Sequence, residues 1–91
     1  MAVLRQVMGE VLRAHRVAQE LTLREVSERA RVSLGYISEV ERGQKEPSSE
    51  LIGSLAAALD VPLSRLMRDV SDLLAIDEGV PLEVLDMAPA A

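Results

Sequence analysis

Apolar residues recur at three- and four-residue steps along most of this chain. Val3, Leu4, Val7, Met8, Val11 and Leu12, followed by the small Ala14 and Ala18, form one stripe and predict a first helix of about four turns. The stretch "LTLREV" starts a second helix. Thr22 is a good N-cap, Glu25 three residues on completes a capping box, and Leu21 and Val26 occupy the two positions of a hydrophobic staple. That helix is predicted over Leu23 to Ala30. A tight connection through Arg31 and Val32 leads to Ser33, the N-cap of a third helix that stops at Gly43.

The third helix, within "VSLGYISEVERG", has Ile37, Val40 and Glu41 at helical spacing. Gly35 nevertheless sits in its first turn, where glycine costs about 0.5–1 kcal/mol relative to Ala. Next to it stands Tyr36, the only aromatic residue in the chain. Pro47 in "QKEPSSE" blocks helix before it, and Ser48 or Ser49 caps a fourth helix through Leu59, with Leu51, Ile52, Leu55, Ala56, Ala58 and Leu59 as its apolar set. Pro62 is placed in the first turn of a fifth helix over 62–78, which carries Leu63, Leu66, Met67, Val70, Leu73 and Leu74. Gly79 and Pro81 end regular structure, leaving a tail over 79–91 that is either free or packed on a partner. No β-alternation and no βαβ pattern appear, so the fold class is all-α with five helices.

Ninety-one residues make one small domain. A chain this short buries about 60% of the surface its unfolded form exposes, so extra stabilisation is expected. Cysteine is absent and His15 is the lone histidine, which excludes disulfides, thiolate sites and histidine metal clusters. Oligomerisation is left as the supplement. His15 is expected on the helix surface, without a catalytic partner. No nucleophile–base pair and no phosphate-cradling glycine loop is evident, so no enzyme, cofactor or metal is expected. The longest uncharged run, Leu51 to Leu59, is far short of a membrane span, and the first residues lack the pattern of a secretory leader. A cytoplasmic location is expected.

The net charge of −5 argues at first sight against nucleic acid, but its distribution differs between the halves. Residues 1–45 hold eight Lys/Arg against six Asp/Glu, whereas residues 46–91 hold two against nine. Contact with phosphates depends on the local face, not on the total. Two short helices separated by a few residues form a helix-turn-helix, whose second helix enters the major groove with its N-terminal residues leading. The helix after Ser33 is therefore the candidate DNA-reading helix.

The run from Leu21 to Leu66 resembles the Xre/Cro-type, lambda-repressor-like helix-turn-helix family. The features that carry the resemblance are the capped second helix, Val32-Ser33, Glu41-Arg42-Gly43, Pro47, and the apolar pattern from Leu55 to Val61. It covers about residues 8 to 67. More narrowly, "SLGYISEVERGQKEPSSEL" is similar to a group of actinobacterial regulators of Clp protease genes, which are dimeric activators degraded by the protease they induce.

The resemblance implies DNA-reading positions at Ser33, Leu34, Gly35, Tyr36, Ser38 and Glu39. Leu34 suits a thymine methyl and Glu39 a cytosine amino group, although phosphate would repel Glu39. Tyr36 either meets DNA or is partly buried against the second helix. Thr22, Arg24, Arg31, Arg42, Gln44 and Lys45 are candidate phosphate contacts, with Arg29 as an addition. Many family members carry a phosphate-binding Gln where this chain has Leu23, and Gly where it has Arg31. The resemblance also implies an ion pair between Arg16 and Glu41.

A reader of this size contacts too little DNA for tight specific binding. A homodimer on a palindromic operator is therefore expected, with Met67, Val70, Leu73 and Leu74 at the interface. Residues 1–67 form the DNA-binding domain, 62–78 the dimerisation helix and 79–91 the tail. The expected function is transcriptional regulation, activating stress and Clp-protease genes. RNA polymerase is a candidate partner, as is Clp protease through the terminal Ala90 and Ala91. The alternative is an antitoxin that binds a toxin and regulates its own gene.

Overall fold

Five helices and no strand make up residues 3–79, which the computed structural model describes: α1 (Leu4–Ala18), α2 (Leu23–Ala30), α3 (Leu34–Glu41), α4 (Ser49–Ala58) and α5 (Leu63–Asp77). The starts follow the predicted caps. The hydroxyls of Thr22, Ser33 and Ser48 accept from the N–H groups of Glu25, Tyr36 and Leu51 at 3.0, 3.3 and 3.2 Å. The Glu25 carboxylate accepts in return from the Thr22 N–H at 2.9 Å, closing the capping box. That backbone hydrogen bond, with the Thr22 hydroxyl, holds the Glu25 carboxyl below its usual value. Pro62 lies one position outside its predicted place. Its ψ of 138° is extended, which makes it the N-cap of α5 and not a first-turn residue.

Four helix ends share one device. Glu20, Arg31 and Asp60 have left-handed φ of 57°, 58° and 54°, and Gly43 has 74°. The N–H of the next residue then reaches back five positions: Leu21 to Arg16, Val32 to Ser27, Gln44 to Glu39 and Val61 to Ala56, at 2.9–3.1 Å. This is the Schellman closure, which satisfies carbonyls the helix leaves unpaired. After the three non-glycine residues, Leu21, Val32 and Val61 tuck partly into the core. A non-glycine residue in this conformation costs about 1–2 kcal/mol, and the burial of the following side chain offsets it.

α1 packs on α3 and α5, α2 on α3 and α4, and α4 on α5. The core between them is Val7, Met8, Val11 and Leu12 of α1, Val26 of α2, Ile37 and Val40 of α3, Leu55, Ala56 and Ala58 of α4 with Leu59 after it, and Leu66 and Val70 of α5. Val70 is thereby corrected: it is 6% exposed and belongs to the monomer's own core, not to a dimer face. His15 is half-buried and lies 2.7 Å from Asp69, joining α1 to α5. Arg29 donates to the Ala58 carbonyl at 3.4 Å and Gln19 to that of Leu59, so Arg29 caps α4.

The tightest crossing is that of α1 over α3. A Cβ on Gly9 would lie 2.5 Å from the Val40 carbonyl oxygen and 2.6 Å from that of Glu41, both backbone atoms. Glycine in a helix interior costs about 1 kcal/mol, and here it lets two backbones touch. Gly9→Ala is accordingly expected to destabilise the domain by about 1–3 kcal/mol in denaturant titration, although alanine is the better helix former.

Candidate nucleic-acid interface

The angle between α2 and α3 is fixed by Ser27 and Val32. The Val32 N–H donates to the Ser27 carbonyl at 3.1 Å, and the Ser27 hydroxyl donates back to the Val32 carbonyl. Arg31, between them, is left-handed at φ 58° and ψ 44°, as the glycine expected there would be. From this turn α3 projects with one face inward: Ile37 and Val40 are 2% and 0% exposed. Ser33, Leu34 and Gly35, its leading residues, are exposed. Around Gly35 an added Cβ would find nothing within 4 Å, so the fold does not require glycine there.

Tyr36 is half-buried and packs on the core, and its hydroxyl donates to the Glu46 carbonyl at 3.3 Å on the α3–α4 connection. Lys45 lies with its Nζ 5.7 Å from the ring centroid and 3.9 Å from the Glu39 carboxylate. Tyr36 therefore has a packing role as well as a place on the α3 face. Ser38 and Glu39 are half-buried one turn on, where the Ser38 hydroxyl accepts from Arg42 Nη1. Arg42 Nη2 donates to Gln44 Oε1 at 3.3 Å.

Arg16 and Glu41 meet as expected. Arg16 Nε and Nη2 donate to the two carboxylate oxygens at 2.7 and 2.9 Å, and Nη1 donates to the Leu21 carbonyl at 2.9 Å. The two side chains are only 14% and 8% exposed. Hydrogen bonding to Glu41 raises the Arg16 pKa further above its already high usual value. One guanidinium thus joins the end of α1, the turn into α2 and the end of α3.

The phosphate candidates are not one cluster. Arg42, Gln44 and Lys45 stand together after α3, whereas Thr22 and Arg24 begin α2 and Arg31 ends it. Seven residues at 1.5 Å rise separate Arg24 from Arg31 by about 10 Å. Among the interface candidates of α5, Met67 is 37% exposed, Leu74 is half-buried, and Leu73 lines a groove with Val7, Glu10 and Ile76. Ala90 and Ala91 lie outside the described residues. Sequence reasoning passed over Ser27, Arg5 and Arg13. Arg5 Nε donates to the Gly43 carbonyl at 3.1 Å. Arg13 had one legible signal: it stands three residues, one turn, before Arg16.

No helix of the described residues is long and apolar enough to cross a membrane. Residues 12–66 match the family model HTH_3, described as helix-turn-helix. The chain is 54% identical over 77 residues to the transcriptional regulator ClgR of Mycobacterium tuberculosis, covering 85% of this chain and 69% of that protein. Among solved structures, the clp gene regulator ClgR from Corynebacterium glutamicum superposes with a TM-score of 0.81 at 40% identity, over 86% of this chain and 83% of that one. The restriction-modification controller protein C.AhdI from Aeromonas hydrophila gives a TM-score of 0.66 at 32% identity, over 68% and 94%. These relatives include transcriptional regulators of a non-enzymatic family, and the chain is not an enzyme.

Loss of one partner from a buried pair leaves the other charge uncompensated. Glu41→Ala is expected to destabilise the fold by about 3–5 kcal/mol, read as a lowered midpoint in urea. Leu21 alone cannot satisfy the remaining guanidinium.

Proposed function

The chain belongs to the HTH_3 helix-turn-helix family, of Xre/Cro-like type, and from that premise we propose that it is a homodimeric transcriptional regulator that binds a palindromic operator and activates Clp-protease and other stress genes. One observation supports this most: α3 buries Ile37 and Val40 while its leading turn, Ser33 to Gly35, stands clear of the domain. The helix N-terminus there suits backbone phosphate, and Leu34, Ser38 and Glu39 suit base edges. Arg42, Gln44 and Lys45 follow the helix where a phosphate backbone would pass.

The dimer reading rests on α5. With Val70 turned inward, the stripe of Leu63, Met67 and Leu74 at four- and seven-residue spacing is the face left for a second copy, and Leu63 and Met67 are 46% and 37% exposed. The domain division is part of the same proposal: DNA contact by residues up to 67, pairing by α5. Its setting is the cytoplasm, and RNA polymerase and Clp protease are its further partners, the latter through Ala90 and Ala91. The relatives named above lend the antitoxin reading no support.

Selection of bound sequences from random duplex DNA is the direct test. The expected motif is palindromic, with half-sites about 34–36 Å apart, one helical turn. An asymmetric motif bound by a monomer in sedimentation would overturn the dimer. Arg31→Gly separates strain from contact. It is expected to raise the melting temperature, since the backbone is left-handed, and to make the salt dependence of binding shallower by about 0.9 per half-site. An unchanged slope would remove Arg31 from the phosphate contacts. Strain by itself does not single it out, because Glu20 and Asp60 have the same backbone conformation.

A further inference from the structure

A groove of about 360 Å³ lies between α1, the first residue of α2 and the second half of α3, lined by Arg13, Arg16, Leu23, Ser38, Glu41 and Arg42. Within it Glu41 is taken up by Arg16, whose Nε and Nη2 hold both its oxygens, so that pair contributes no net charge. Two cations remain. Arg13 is exposed and makes no hydrogen bond or ion pair among the described residues. Arg42 donates only to the neutral Ser38 hydroxyl and Gln44 amide. Leu23 forms an apolar wall and offers no donor of its own.

We propose that Arg13 and Arg42 together hold one phosphate of the DNA backbone in this groove, a proposal that rests on the DNA-binding reading above. The geometry favours it in three ways. First, the groove carries two uncompensated guanidinium groups in a concave setting, and a phosphodiester presents two free oxygens that such groups hold in pairs. Second, Leu34, Ser38 and Arg42 stand at four-residue spacing along α3, so the groove opens on the same edge of the helix as the exposed Leu34. A strand bordering the major groove that receives α3 passes that edge. Third, Lys45 lies beyond the end of α3, so the helix has basic side chains on two sides. The phosphate is the same at every step of a duplex, so Arg13 contributes to affinity without contributing to sequence preference.

The test uses the full chain with the selected operator and with a random duplex, each titrated over a range of salt. Arg13→Gln is expected to weaken binding to both duplexes by a similar factor. Its plot of log affinity against log salt should be shallower by about 0.9 per half-site, so that each half-site loses roughly threefold less affinity between about 50 and 200 mM salt. Arg13→Lys, which keeps the charge, should keep the slope. Arg68→Gln, on α5 and away from the groove, should match the parent. Unchanged affinity and slope for Arg13→Gln would overturn the site, and so would a loss confined to the operator at unchanged slope. If the parent chain binds neither duplex at low salt, the DNA-binding reading itself fails and takes the site with it.

Discussion

Arg16 leaves the last turn of α1 and ends on three acceptors belonging to two other parts of the chain, the Glu41 carboxylate and the Leu21 carbonyl. The placement of the helix proposed to read DNA depends on that fork. It fixes the far end of α3, while Gly9 lets α1 lie against the same turn with backbones in contact. The near end of α3 is fixed by Ser27 and Val32 across the turn. A short helix of eight residues is marginal by itself. Held at both ends, it can present its leading turn without that turn packing on anything.

The parts of this arrangement that were legible in the sequence are those written in neighbouring residues. Thr22 with Glu25, Ser33, Ser48 and Gly43 are local signals, and α2, α3 and α4 begin or end where they stand. Arg16 with Glu41 was legible only through the resemblance, since twenty-five residues separate them. Gly9 was not legible, because its importance depends on which helix crosses it. Val70 was misread for a related reason. All the apolar residues of α5 look alike in the sequence, and only the position of α1 and α4 decides that Leu66 and Val70 turn inward while Leu63 and Met67 turn outward. Of the two readings offered for Tyr36, its partial burial is observed, with the ring packed on the core and the hydroxyl tied to the loop.

The charge asymmetry of the chain acquires a geometric meaning from these placements. Among the described residues, Arg5, Arg13, Arg24, Arg29, Arg31 and Arg42 form no ion pair with an acidic side chain and are carried by α1 to α3 and their connections, whereas α5 has one such cation, Arg68. α5 carries Asp69, Asp72 and Asp77 and compensates part of its own basic content through Arg65 to Asp69 at 3.2 Å. In the proposed DNA complex, the cations around α3 would attract phosphate while the acidic remainder disfavours other orientations of approach.

Gly35 carries one further implication. Since a Cβ there would meet no atom of the protein within 4 Å, the fold exerts no selection against a small side chain, and helix propensity would reward one by about 1 kcal/mol. Under the proposed reading, a small side chain there would change what the leading turn of α3 presents to DNA at no expense to folding, whereas Ile37 and Tyr36 are held by packing on the core. Freedom to vary and constraint by packing thus meet within one turn of the same helix.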